Sequence, residues 1–207
     1  MTKNDLIVVT GAGGFIGGHL VAGLRGQGYQ RLRAVDLKPL DEWYQRFDDV
    51  ENLKLDLSRL DACQTACEGA TQVYNLAADM GGMGFIELNK ALCMLTVLIN
   101  THMLAAARDA GVRRFFFSSS ACVYAAEKQT TAAVTPLREP DAYPAMPEDG
   151  YGWEKLLDRK STRLNSSHSR ASRMPSSRRT DGAHPSFWAI SVLSLLRPRT
   201  PFGASSL

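Results

Sequence analysis

Leu6-Ile-Val-Val-Thr-Gly-Ala-Gly-Gly-Phe-Ile-Gly17 is the stretch that decides the fold. Its first five residues form a continuous apolar run, the pattern of a parallel strand buried on both faces. Glycines at 11, 14 and 17 follow at once. Gly11 lets the backbone turn tightly, Gly14 lets it approach a diphosphate, and Gly17 lets the next helix pack on the strand. Phe15 and Ile16 open that helix, so its N-terminal N–H groups face an anion held at the turn. Its core side is expected to carry Phe15, Ile16, Leu20 and Leu24, and it should stop near Gly26 and Gly28.

Working outward, a second strand, Leu32-Arg-Ala-Val-Asp36, ends in a carboxylate 19 residues after Gly17. A strand, a glycine turn, a helix and then an acid at this distance form a dinucleotide-binding pattern. Asp36 would bond ribose hydroxyls and repel a 2′-phosphate, which favours NAD over NADP; a solvated acid at a strand end is the plain alternative. Further strands fit at Leu53 to Asp56, Val73 to Ala77 and Arg114 to Ser118, with helices at Leu60 to Glu68 and Phe85 to Ala110. The alternation predicts an α/β fold with a Rossmann-type doubly wound parallel sheet, cut short before its last strands and any substrate domain. Asp56 and Leu57, after the third strand, either flank an adenine or form an ordinary loop. A long irregular stretch from Ala125 to Asp149, with prolines at 136, 140, 144 and 147, is placed as loops usually are around a site.

The chain changes character after Leu157. Residues 1–157, the expected NAD-binding domain, carry 15 Lys+Arg against 19 Asp+Glu, whereas residues 158–207 carry 9 against 2 and hold 12 serines. Such charge could attract nucleic acid. However, Asp158-Arg-Lys-Ser-Thr-Arg-Leu-Asn-Ser-Ser-His168 resembles a translated sequencing adapter, so 158–207 reads as a non-native, disordered tail and no nucleic-acid partner is expected. The cysteines at 63, 67, 93 and 122 lack zinc or disulfide spacing, so no metal is expected, and Cys63 and Cys67 read as packing. With no apolar leader and no run long enough to span a bilayer, a cytoplasmic protein without a membrane partner is expected.

Tyr151-Gly-Trp-Glu-Lys155 puts a phenol and an ammonium four apart on one helical face. A nearby cation favours phenolate, moving a tyrosine down from its usual pKa of about 10. By itself the pattern is common on helix surfaces. With Ser118-Ser-Ser120 at the end of a parallel strand, it makes a plausible site for oxidising a hydroxyl.

Together these features resemble the extended short-chain dehydrogenase/reductase family, the NAD-dependent epimerases and dehydratases, over residues 5 to 157. The likeness sharpens toward its GDP-mannose 3,5-epimerase branch at Asn75-Leu-Ala-Ala-Asp-Met-Gly-Gly-Met-Gly-Phe-Ile86 and Ser119-Ser-Ala-Cys-Val-Tyr124. The resemblance implies NAD as cofactor, with Ala77 beside it, and a nucleotide-sugar substrate, GDP-mannose, near Gly81, Gly82, Met83, Gly84, Ser120 and Cys122. It also implies a homodimer. Tyr151 would take the C4 hydroxyl proton, Lys155 would hold its pKa down and touch ribose, and Ser120 would bond the same oxygen. The resulting ketone would acidify C3 and C5, Cys122 would exchange a proton there, and C4 would be reduced again, so that NAD is recycled. The plain alternatives are a flexible turn before a helix for the glycine-rich stretch and a packing role for Cys122. A UDP-sugar 4-epimerase, a 4,6-dehydratase or a reductase of the same family is the alternative activity, and a fragment that binds NAD without turnover is the alternative of another class.

Overall fold

The computed structural model describes residues 2–78, 88–125, 127, 137–147 and 150–157. Five strands, β1 (Ile7–Thr10), β2 (Leu32–Asp36), β3 (Glu51–Lys54), β4 (Gln72–Asn75) and β5 (Arg114–Phe117), form one sheet in the order β3-β2-β1-β4-β5. Every pairing is parallel, with Val8 set against Arg33 on one side and Val73 on the other. Helices α1 (Phe15–Gly26), α2 (Leu60–Cys67) and α3 (Lys90–Asp109) alternate with the strands, and residues 150–157 form a further helix, α4. The chain builds outward from β1 to β3, returns, and builds the other way through β4 and β5. The order therefore reverses between β1 and β4, which opens a crevice at their carboxyl ends.

The apolar run of β1 serves both faces. Val8 joins Val35, Val73, Phe115, Cys63, Cys67 and Met103 in a core beneath α2 and α3. Ile7 and Val9 join Val21, Leu24, Leu32 and Trp43 in a second core beneath α1. Each fully buried Val or Ile contributes about 1.5–3 kcal/mol, so a strand buried on both faces is a strong anchor for the turn that follows it.

Several expectations shift. Phe15 and Ile16 do not face the core: they are 62% and 71% exposed, and α1 packs through Gly17, Gly18, Val21 and Leu24. Phe15 instead sets its ring edge-on against His19 and Tyr44, with centroids 4.5 and 5.0 Å away. β3 is two residues earlier than expected, because its pairing with β2 and the Arg33–Glu51 ion pair (2.8 Å) set its register. α3 runs from Lys90; residues 79–87, where an earlier start was expected, lie outside the described residues. Within the stretch expected to be irregular, Glu139–Ala142 form a 3-10 turn, closed by the Arg138 N–H donating to Asp141 Oδ2 at 2.6 Å. Residues 158–207 also lie outside the described residues.

Candidate functional site

The glycine turn sits at the reversal point. Gly11 has φ +66°, a conformation that favours glycine, and a Cβ there would lie 2.9 Å from the Leu76 carbonyl. A Cβ on Gly17 would collide with the Gly11 carbonyl oxygen, so α1 could not close on the turn. Thr10 ties this turn to the end of β4. Its Oγ1 accepts from the Leu76 and Ala77 N–H groups, both at 3.0 Å, and donates to Asn75 Oδ1 at 2.7 Å. Asn75 Nδ2 donates in turn to Asn100 Oδ1 at 2.6 Å. This buried chain fixes Ala77 next to the turn; nothing in residue spacing announced the parts of Thr10 and Asn100.

The turn fits a dinucleotide. Gly14 caps α1 without a side-chain hydrogen bond, and the first turn holds no acid, which leaves N–H groups and a positive dipole end for a diphosphate. Among the described residues a Cβ on Gly14 would meet only the Gly11 carbonyl oxygen, at 3.3 Å, which leaves its other side open to a ligand. Asp36 stands beside it: Oδ2 accepts from the Gly13 N–H at 2.9 Å and Oδ1 from the Lys38 N–H at 3.0 Å. Each oxygen keeps a lone pair for a ribose hydroxyl. Trp43, which the sequence reading passed over, packs where a Gly13 side chain would be and donates its indole N–H to Lys38 O at 3.1 Å. Asp56 is exposed and accepts from the Ser58 N–H and Oγ at 3.0 and 2.7 Å. Leu57 is buried in the core beneath α2 and α3, which leaves its backbone, not its side chain, to meet a ligand.

The second half of the site lies beyond β5. Ser120 caps a 3-10 turn, Ala121–Val123, its Oγ accepting from the Cys122 N–H at 3.2 Å. Cys122 is half-buried. On α4, Tyr151 is half-buried and Lys155 is buried. The Lys155 ammonium lies 5.6 Å from the Tyr151 ring centroid and 5.1 Å from that of Phe117 on β5. A cation beside a phenol favours its ionised form. Gly152 brings α4 to the serine turn: a Cβ there would lie 2.5 Å from the Cys122 carbonyl oxygen. Ser120, Cys122, Tyr151 and Lys155 thus share one end of the sheet. Gly81, Gly82, Met83 and Gly84 lie outside the described residues.

Among the described residues there is no cluster of metal ligands, and no helix is long and apolar enough to cross a membrane. Cys63 and Cys67 are fully buried, and burial pushes both thiols up to about 12, as befits packing.

A doubly wound parallel sheet with a glycine turn at its reversal point defines a dinucleotide-binding α/β enzyme class. Within that class, residues 7–166 match the NAD dependent epimerase/dehydratase family, and the chain belongs to it. NAD is the cofactor of that family. The chain is 45% identical over 151 residues to GDP-mannose 3,5-epimerase 1 of Oryza sativa subsp. japonica, covering 72% of this chain and 39% of the relative. It is 42% identical over 156 residues to GDP-mannose 3,5-epimerase of Arabidopsis thaliana, covering 75% and 41%. The chain thus spans about two fifths of the length of these relatives. A crystal structure of a short-chain dehydrogenase/reductase superfamily protein from Agrobacterium tumefaciens with bound NAD superposes with a TM-score of 0.62 at 31% identity, covering 80% of this chain and 45% of that one.

Proposed function

We propose that residues 1–157 are the NAD-binding portion of a GDP-mannose 3,5-epimerase, with Tyr151, Lys155, Ser120 and Cys122 as its reacting groups. The observation that carries this reading is the backbone contact between Gly152 and Cys122, which sets the phenol–ammonium helix against the serine–cysteine turn. The plant relatives supply the substrate class.

NAD, when bound on the Gly11–Gly17 turn beside Asp36, supplies reversible oxidation at C4 of the sugar. Tyr151 takes the C4 hydroxyl proton as phenolate, because the Lys155 cation favours its ionised form. Ser120 Oγ holds the same sugar oxygen. Once C4 is a ketone, the protons at C3 and C5 are acidic, and the Cys122 thiol moves one of them. Tyr151 then returns its proton to the C4 oxygen as C4 is reduced. A homodimer goes with this reading; a nucleic-acid partner does not.

A second reading takes the 207-residue polypeptide by itself as an NAD-binding module without turnover, favoured by its covering only two fifths of the relatives' length. Residues 158–207 are then a non-native tail. Incubating the purified chain with GDP-mannose in heavy water separates the two. Deuterium at both C3 and C5 of the recovered sugar supports the epimerase, and NAD binding without exchange supports the module; deuterium at neither position with a 4-epimer as product, or at C5 alone with a 4-keto-6-deoxy sugar as product, points to a sister activity.

A further inference from the structure

Glu154 stands between Tyr151 and the tail of α4, and nothing in the mechanism above uses it. It is fully buried, 0% exposed, as is most of its neighbour Lys155 at 5%. Lys155 Nζ lies 3.2 Å from Glu154 Oε1, a close ion contact, yet neither carboxylate oxygen has an aligned hydrogen-bond donor among the described residues. The same ammonium sits over the Tyr151 ring at 5.6 Å and the Phe117 ring at 5.1 Å. One buried cation is therefore shared between a carboxylate and a phenol.

We propose that Glu154 is a positioning residue for the phenol–ammonium pair: its buried carboxylate holds the Lys155 ammonium and sets how much of that positive charge reaches Tyr151. This rests on the reading that Tyr151 is the acid–base group. A buried ion pair with unfilled hydrogen-bond capacity is a poor stabiliser, so a purely structural role explains little. Its electrostatic consequence is direct. An anion about 3 Å from the ammonium cancels much of the cation's field at the phenol, so Tyr151 is kept less acidic than Lys155 alone would make it. Burial raises the Glu154 carboxyl above its ordinary range, and Lys155, the one charged group acting on it among the described residues, opposes that shift. Drawing the ammonium toward a ligand would free its field for the phenol.

The test uses the full chain and needs no substrate. Tyrosine absorbance is titrated in the parent and in Tyr151→Phe, and the difference isolates Tyr151. The same pair of titrations is run with Glu154→Gln added to both chains. The midpoint of Tyr151 should fall by about one pH unit or more once the carboxylate is neutral. A folded Glu154→Gln chain with an unmoved midpoint overturns the proposal, since a structural role alone changes melting and not the phenol. Lys155→Met, which leaves the carboxylate without its cation, should melt well below the parent, and adding Glu154→Gln to it should recover most of the loss. Failure to recover also overturns the proposal, even where the single Glu154→Gln chain does not fold. A midpoint shift without sugar exchange would count against the epimerase reading while the pairing stands.

Discussion

The α-carbon of Gly152 faces the carbonyl oxygen of Cys122 so closely that a methyl group there would sit 2.5 Å from it. Residues thirty positions apart are joined by backbone, without a side chain between them, and this joint places Tyr151 relative to Ser120. Gly152→Ala should therefore push α4 off the serine turn. We expect activity to fall at least about tenfold through misplacement of the phenol, while NAD affinity changes little. Parallel measurement of turnover and of NAD binding by calorimetry checks this; a fall in both together would point to general unfolding.

NAD should bind in preference to NADP, because Asp36 already holds the Gly13 and Lys38 N–H groups and presents its negative charge where a 2′-phosphate would fall. Gly14→Val should abolish binding of either, since the open side of Gly14 is the approach to the diphosphate. Calorimetric titration reads both. Equal or tighter NADP binding would overturn the first expectation, and unchanged affinity the second.

Cys122→Ser and Tyr151→Phe should fail at different steps. Serine is too weak an acid to supply an anion near neutral pH, so Cys122→Ser should slow exchange at C3 or C5 by about a hundredfold or more while C4 oxidation persists. Tyr151→Phe should stop exchange altogether, because no ketone forms. Deuterium uptake into recovered GDP-sugar is the measurement, made in a chimera carrying the remaining length of the rice relative if the chain alone shows no turnover. Exchange at the parental rate in Cys122→Ser would make the cysteine a packing residue.

Burial lifts the Cys63 and Cys67 thiols to about 12 from a reference of 9.0. A thiol that ionises at about 9 when unfolded and about 12 when folded costs nothing below pH 9, and stability is lost as pH rises from 9 toward 12. Urea midpoints should therefore fall across that window more steeply in the parent than in Cys63→Ala/Cys67→Ala, even though the double variant is less stable at pH 7. In the native chain near pH 8, alkylation should reach half-buried Cys122 well before either of these two.

The sequence by itself determined the parallel sheet, the glycine turn and the acid after β2, because each is a local pattern: an apolar run, three spaced glycines, a carboxylate at a strand end. It determined Tyr151 and Lys155 as a pair for the same reason, since four residues make one helical turn. Tertiary structure alone decided the rest. Phe15 and Ile16 look like core residues on a helical wheel, yet they are exposed, because the helix turns Gly17, Gly18, Val21 and Leu24 to the sheet. Thr10, Asn75 and Asn100 form one buried chain from three separate elements, and no spacing rule connects residues 65 and 25 positions apart. Gly152 and Glu154 read as filler inside Tyr-x-x-x-Lys. Their parts depend on what α4 is pressed against, and close approach and burial are properties of the packed chain, which neighbours in sequence do not encode.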